Sequence, residues 1–122
     1  MLVLENVHVF DGERDALQED QHILIEGDLI REVSDKPITS ATANRLDLNG
    51  AHVMPGLIDA HVHVTDWVAS PAELVDEPPS YTAIRSARNL KNMLYRGFTT
   101  VRDACGADFG LARAVNLSGT GG

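Results

Sequence analysis

At Pro55-Gly56 the residue pattern of this chain changes, and that break sets the limits on its fold. Before it, apolar residues come in short alternating runs: Leu2 and Leu4, Val7 and Val9, Ile23 and Ile25, Leu46 and Leu48. A period of two marks strands with one covered face. After the break, residues 57–64 read LIDAHVHV, a run with few outward polar positions, as expected of a strand buried on both faces in a parallel sheet. One chain therefore carries two kinds of sheet, which divides it into residues 1–54 and 55–122.

In the first segment, Glu5-Asn6 splits the opening apolar pairs and Asp11-Gly12 supplies a turn. The stretch HILIEGDLIREV at 22–33 predicts a hairpin turning at Gly27-Asp28, and a further strand is expected over 45–53, with a second turn signal at Asn49-Gly50. Three or four such strands are marginal alone and need a partner surface. In the second segment, Pro71, Pro78 and Pro79 suit a loop or short helical turn. A helix follows, with Ser80 as its expected N-cap, Ile84, Ala87, Leu90 and Leu94 on one apolar face, and Gly97 where a C-cap glycine belongs. Residues 99–101 predict a strand, 107–115 a second helix, and NLSGTGG a flexible tail. Strand, helix, strand, helix is the βαβ order of an α/β fold.

Charge and cysteine content narrow the function classes. Eighteen acidic residues face ten basic ones, a net charge of −8, so binding nucleic acid through phosphate neutralisation is not expected. The acid is concentrated early, with 11 acids and 4 bases in residues 1–52 against 7 and 6 in residues 53–122. Cys105 is the only cysteine, which excludes an intrachain disulfide and points to a reducing compartment. MLVLENVHVF lacks a basic start and meets Glu5 too early for a secretory signal. No apolar run approaches the ~20 residues that span a bilayer, so a cytoplasmic protein with no membrane partner is expected.

The chemistry-bearing residues are His61 and His63. Side chains at i and i+2 of a strand share a face, so the two imidazoles point the same way, near the C-terminal end of a parallel strand, where ligands gather in α/β folds. Two imidazoles on one face can converge on one metal ion. Asp59 falls on that face two residues earlier and could orient an imidazole as an acceptor behind it. Zinc sites take three or four protein ligands, so this pair is half a site.

The string VMPGLIDAHVHV, followed after a helix by GFTTVRDACG, resembles the amidohydrolase superfamily, metal-dependent hydrolases built on a (β/α)8 barrel beside a small β-sandwich. LVLENVHVFDGE and HILIEGDLIREV resemble that family's N-terminal contribution to the sandwich, and the likeness covers about residues 1–115. The wording is closest to the branch of Xaa-Pro dipeptidases and related carboxypeptidases acting on dipeptides or N-acyl amino acids. The resemblance implies that His61 and His63 bind a divalent ion, usually zinc, the more buried of two. It also implies a bridging carboxylated lysine, later-strand histidines and a late aspartate that activates the bridging water. GLARAV followed by NLSGTGG resembles two pieces of that branch that lie further apart, which leaves an internal deletion or an aberrant ending open.

The later groups have no counterpart here. A (β/α)8 barrel takes ~250 residues, and the seventy or so after the first segment suffice for two βα units. The fold class expected is thus α/β with a small β-sandwich segment and the N-terminal part of a TIM barrel, incomplete in this chain. Lys91, the only lysine after Lys36, falls mid-helix and cannot replace the bridging lysine. Asp103 beside Arg102 is read as a structural ion pair or loop hydrogen bond, His8, His22 and His52 as surface or core histidines of the first segment, and Trp67 as a cleft or loop-packing residue. The expected function is an N-terminal fragment of an amide-hydrolysing enzyme, inactive alone, whose uncovered edges need a C-terminal portion or a homo-oligomer. The alternative is a stand-alone, non-catalytic β-rich module acting through self-association or a partner chain.

Overall fold

The alternating segments form strands, as their period requires. The computed structural model describes residues 1–66, 71–74 and 76–118. The chain divides into two compact units, Met1–Pro55 and Gly56–Gly122, each described in its own frame.

The first unit is a four-stranded sheet of β1 (Leu2–Val9), β2 (Gln18–Glu26), β3 (Leu29–Ser34) and β4 (Asn44–Val53), in the order β3-β2-β1-β4. β1 pairs antiparallel with β2 and parallel with β4. The β2–β3 hairpin turns at Gly27, whose φ of +62° suits a residue without Cβ at the first position of a tight turn. Two local sequence signals, one break and one turn, act differently from expectation. Glu5-Asn6 does not interrupt β1: Asn6 takes φ +56° within one continuous strand. Asn49-Gly50 is not a turn either. Between the pairs Glu5↔Asp47 and Val7↔Ala51, β1 has only Asn6 while β4 has Leu48, Asn49 and Gly50, so the left-handed Asn49 and Gly50 absorb extra residues as a bulge. The Asp47 carboxylate holds both irregularities, bonding the Asn6 side chain and the Asn49 amide, and these contacts lower its pKa. With the bulges in place, Leu4, Val7 and Val9 pack with Ile23, Ile25, Leu48 and Val53.

In the second unit, β5 (Leu57–Val62) pairs parallel with β6 (Phe98–Asp103), and α1 (Pro79–Tyr95) joins them on the way to α2 (Phe109–Ser118). A 3-10 turn, Pro71–Leu74, stands where prolines excluded a long helix. The expected double burial of 57–64 is realised only at Val62 and Val64. Leu57 and Ile58 are exposed by 41% and 70%, because β6 is the only strand paired with β5 among the described residues. Helix α1 starts one residue before the expected cap: Pro78 is the N-cap and makes no side-chain cap bond, while Pro79 supplies a preset φ and no surplus N–H. Its C-terminus ends as expected, with Gly97 at φ +95° just past the Arg96 cap.

The face α1 buries is not the apolar one. Ser86 is 1% exposed and returns its hydroxyl to the Thr82 carbonyl at 2.8 Å, whereas Ile84 and Leu94 are 71% and 58% exposed. Asn89, on the covered side, instead reaches the backbone beyond β5. Helix α2 starts after Asp108, whose Oδ1 accepts from the Gly110 and Leu111 amides at 2.9 and 3.1 Å, and it continues through Asn116, Leu117 and Ser118, the first three residues of the expected tail. No helix among the described residues is long and apolar enough to cross a membrane.

Candidate functional site

The site is built where β5 and β6 end together. Gly56 opens β5 against Thr99: a Cβ at Gly56 would lie 2.1 to 2.6 Å from the Thr99 side chain, so the parallel pair is drawn close at its start. Leu57 N–H bonds the Gly97 carbonyl at 2.8 Å, and Ala104 N–H bonds the Val62 carbonyl at 2.9 Å, closing the other end. Arg102 Nε donates to the Ala60 carbonyl at 2.8 Å across the same pair.

On that frame His61 lies in β5 and His63 just past it, both exposed, with ring centroids 5.2 Å apart and planes at 71°. Two imidazoles sharing one tetrahedral zinc at ~2.0–2.1 Å from each nitrogen bring their ring centres to about 5 Å. The spacing therefore suits a shared ion. Among the described residues no third His, Cys, Asp or Glu joins them in a cluster able to hold a metal. Asp59 is oriented differently from expectation: its Oδ1 accepts the His61 backbone N–H at 3.1 Å, so its described bond shapes the strand rather than an imidazole.

His63 has two acceptors near its Nδ1, the Cys105 carbonyl at 3.4 Å and the Asp66 carboxylate at 3.8 Å. Asp66 in turn bonds back through its amide to the His63 carbonyl and accepts the Thr65 hydroxyl. Of its two expected roles Asp103 takes the loop hydrogen bond, as a backbone clamp with no ion pair to Arg102 among its described contacts. Its Oδ2 accepts Val64 N–H at 2.7 Å, and its Oδ1 accepts Cys105 and Ala107 N–H at 3.0 and 3.3 Å. Asn89 Nδ2 secures the same turn through the Val64 carbonyl at 3.1 Å. Gly106 completes it: its φ is +102°, and a Cβ there would fall 2.2 Å from Thr65 Oγ1. A groove of about 300 Å³ runs beside His63, lined by Val62, Val64, Asn89, Asn92, Met93 and Arg96.

Elsewhere, Lys91 lies over the Tyr95 ring on α1, 5.8 Å from its centroid. Trp67 and residues 119–122 lie outside the described residues. In the four-stranded sheet, His8 and His52 face each other in the parallel β1–β4 register with centroids 5.3 Å apart, and the His8 Nδ1 accepts the Asp20 amide at 3.4 Å. His22 Nδ1 is shielded and has no hydrogen-bond partner among the described residues. That second histidine pair was invisible in the sequence, since it depends on which strand lies beside β1.

A parallel strand pair with connecting helix, bearing its imidazoles at the strand C-termini, defines an α/β protein of the kind that gathers ligands at that end. The chain belongs to the amidohydrolase family, whose sequence model matches residues 52–120. It superposes on a crystal structure of an amidohydrolase with a TM-score of 0.90 and 40% identity, over 96% of this chain and 28% of that one. A prolidase complexed with N-methylphosphonate-L-proline gives 0.89 and 45%, over 95% and 28%. A Xaa-Pro dipeptidase with methionine bound in its active site gives 0.82 and 28%, over 99% and 31%. Among curated proteins, a dihydroorotase of Trichlorobacter lovleyi is 34% identical over 65 residues, 53% of this chain and 15% of its own length. An adenine deaminase of Kosmotoga olearia is 41% identical over 56 residues, 46% of this chain and 7% of its own.

Proposed function

We propose that this chain is the N-terminal part of a metal-dependent amidohydrolase, with residues 1–54 giving strands to a small β-sandwich and residues 55–122 the first βα units of a (β/α)8 barrel. The observation that carries the reading is the His61–His63 pair, 5.2 Å between centroids, at the C-terminal end of a parallel strand. His61 and His63 hold one divalent ion, zinc, and Asp59 fixes the strand just ahead of them through the His61 amide. When bound, the metal lowers the pKa of a coordinated water and polarises a carbonyl. The further ligands, a second ion and the groups that move protons come from later βα units of a longer protein. Those units also cover Leu57, Ile58, Ile84 and Phe109, now 41%, 70%, 71% and 83% exposed.

The amide bonds of dipeptides or N-acyl amino acids are the proposed substrates. Support comes from the prolidase and the Xaa-Pro dipeptidase, which match over nearly the whole chain, whereas the dihydroorotase and adenine deaminase match over about half. The lone, exposed Cys105 accords with a cytoplasmic location. Zinc titration of the full chain by calorimetry tests the metal assignment. Wild type is expected to bind, and His61→Ala and His63→Ala each to lose most of that affinity. Equal binding by wild type and the double variant would sink it.

A further inference from the structure

We infer that Asp103 is a positioning residue for His63: by fixing the Cys105 carbonyl, it holds the His63 imidazole in its Nδ1–H form and leaves the Nε2 lone pair free. The inference deepens the metal reading above and rests on it for its functional meaning, but the tautomer itself does not.

A backbone carbonyl only accepts hydrogen bonds, so an imidazole nitrogen facing one must carry the proton. His63 Nδ1 faces the Cys105 carbonyl at 3.4 Å, and its other neighbour, the Asp66 carboxylate at 3.8 Å, is also an acceptor. Both neighbours select the same tautomer, and the proton sits on Nδ1. The remaining ring nitrogen, Nε2, then offers its lone pair outward, as a metal-binding histidine needs.

That carbonyl does not hold itself in place. It lies on an exposed turn after β6, 42 residues from His63 in sequence. Asp103 makes the turn rigid from both sides. Its Oδ1 takes the amides of Cys105 and Ala107, which pins the peptide units on either side of the one whose oxygen meets His63. Its Oδ2 takes the amide of Val64, the residue next to His63, in the shortest bond of the three at 2.7 Å. One carboxylate therefore ties the ring's own backbone and the ring's acceptor to a common point. The described bonds of both Asp103 oxygens are to backbone amides and none is to the imidazole, so it acts through the backbone.

The test reads the tautomer of neutral His63 by long-range proton–nitrogen correlation in the metal-free full chain, with zinc affinity measured in parallel. Wild type is expected in the Nδ1–H form. Asp103→Ala is expected to shift His63 into a mixture while His61 keeps its signature and the β5–β6 amides keep their dispersion. Zinc affinity should then fall about 10–100-fold, the usual effect of losing a group behind a metal ligand. Asp103→Asn keeps one acceptor oxygen and loses the other, so it should fall between the two, and it serves if the alanine variant does not fold. Asp66→Asn should leave the tautomer in place. His63 found as Nε2–H in wild type, unchanged in a folded Asp103 variant, or controlled by Asp66 instead, would overturn the inference. A chain that binds no zinc yet shows the tautomer shift would remove the metal reading and leave this one standing.

Discussion

Replacing Gly56 with alanine should pry apart the strand pair that carries the histidines. Gly56 needs no unusual backbone angle; it is required because its Cβ would meet Thr99 Oγ1 at 2.1 Å, Cγ2 at 2.2 Å and Cβ at 2.6 Å. Rotation about χ1 of Thr99 moves the first two atoms but not the third. Carbon atoms that close cannot coexist, so either β5 or β6 must shift, and overpacking of this kind costs about 1–3 kcal/mol. With three atoms inside contact distance we expect the upper end, about 2–3 kcal/mol. Hydrogen exchange of the Leu57 and Ala104 amides, which bond Gly97 and Val62, reads this locally. At 1.4 kcal/mol per tenfold, both should exchange roughly 30–150-fold faster where opening limits exchange. Thr99→Ala should restore only part of the loss, because its Cβ remains. Thr99→Gly in the Gly56→Ala background should restore nearly all of it, less the ~0.5–1 kcal/mol a strand glycine costs. Additive effects within about 0.5 kcal/mol in that double variant would refute a direct clash.

Two further outcomes concern the four-stranded sheet. Val7→Ala, at a position with no exposed surface in the cluster with Val9 and Ile23, should destabilise the sheet by about 2 kcal/mol in urea unfolding, and a change under 0.5 kcal/mol would mean that this face is not the core. Asp47 has its pKa lowered by the Asn6 side chain, then by the Asn49 amide, so its contribution is present above the ordinary carboxylate value and disappears as pH falls through the lowered one. Asp47→Asn should therefore flatten the acid limb of the stability–pH curve, and a limb parallel to wild type would contradict that assignment.

Much of the architecture could be read from local chemistry. The 22–33 hairpin, the strand ending in H-x-H and the glycine after α1 each follow from residue period or turn chemistry within a dozen positions. The bulges did not, because a left-handed Asn-Gly looks the same in sequence whether it reverses the chain or absorbs surplus length beside a neighbour. The covered face of α1 is not the one that period marks: period finds the apolar stripe, but Asn89 turns to the Val64 carbonyl beside the strand end, and the buried Ser86 bonds within its own helix to the Thr82 carbonyl. At the site, the histidine pair was legible, as was a loop hydrogen-bond role for Asp103, but the groups these residues meet were not. Asp103 and Cys105 meet Val64 and His63 about forty residues away, and Gly106 lies against Thr65 at a like separation, a distance over which sequence period carries no signal.

The 42-residue gap between His63 and the carbonyl it faces also orders events during synthesis. Both imidazoles leave the ribosome within three residues of each other, whereas Cys105 follows, at ~5–20 residues per second, about 2–8 s later. For that interval the nascent chain presents two unsupported imidazoles on an unpaired strand. Only after β6 has emerged can His63 Nδ1 meet the Cys105 carbonyl, so on the proposed metal reading the orientation of that ligand is set by the second strand's emergence and not by the histidines themselves.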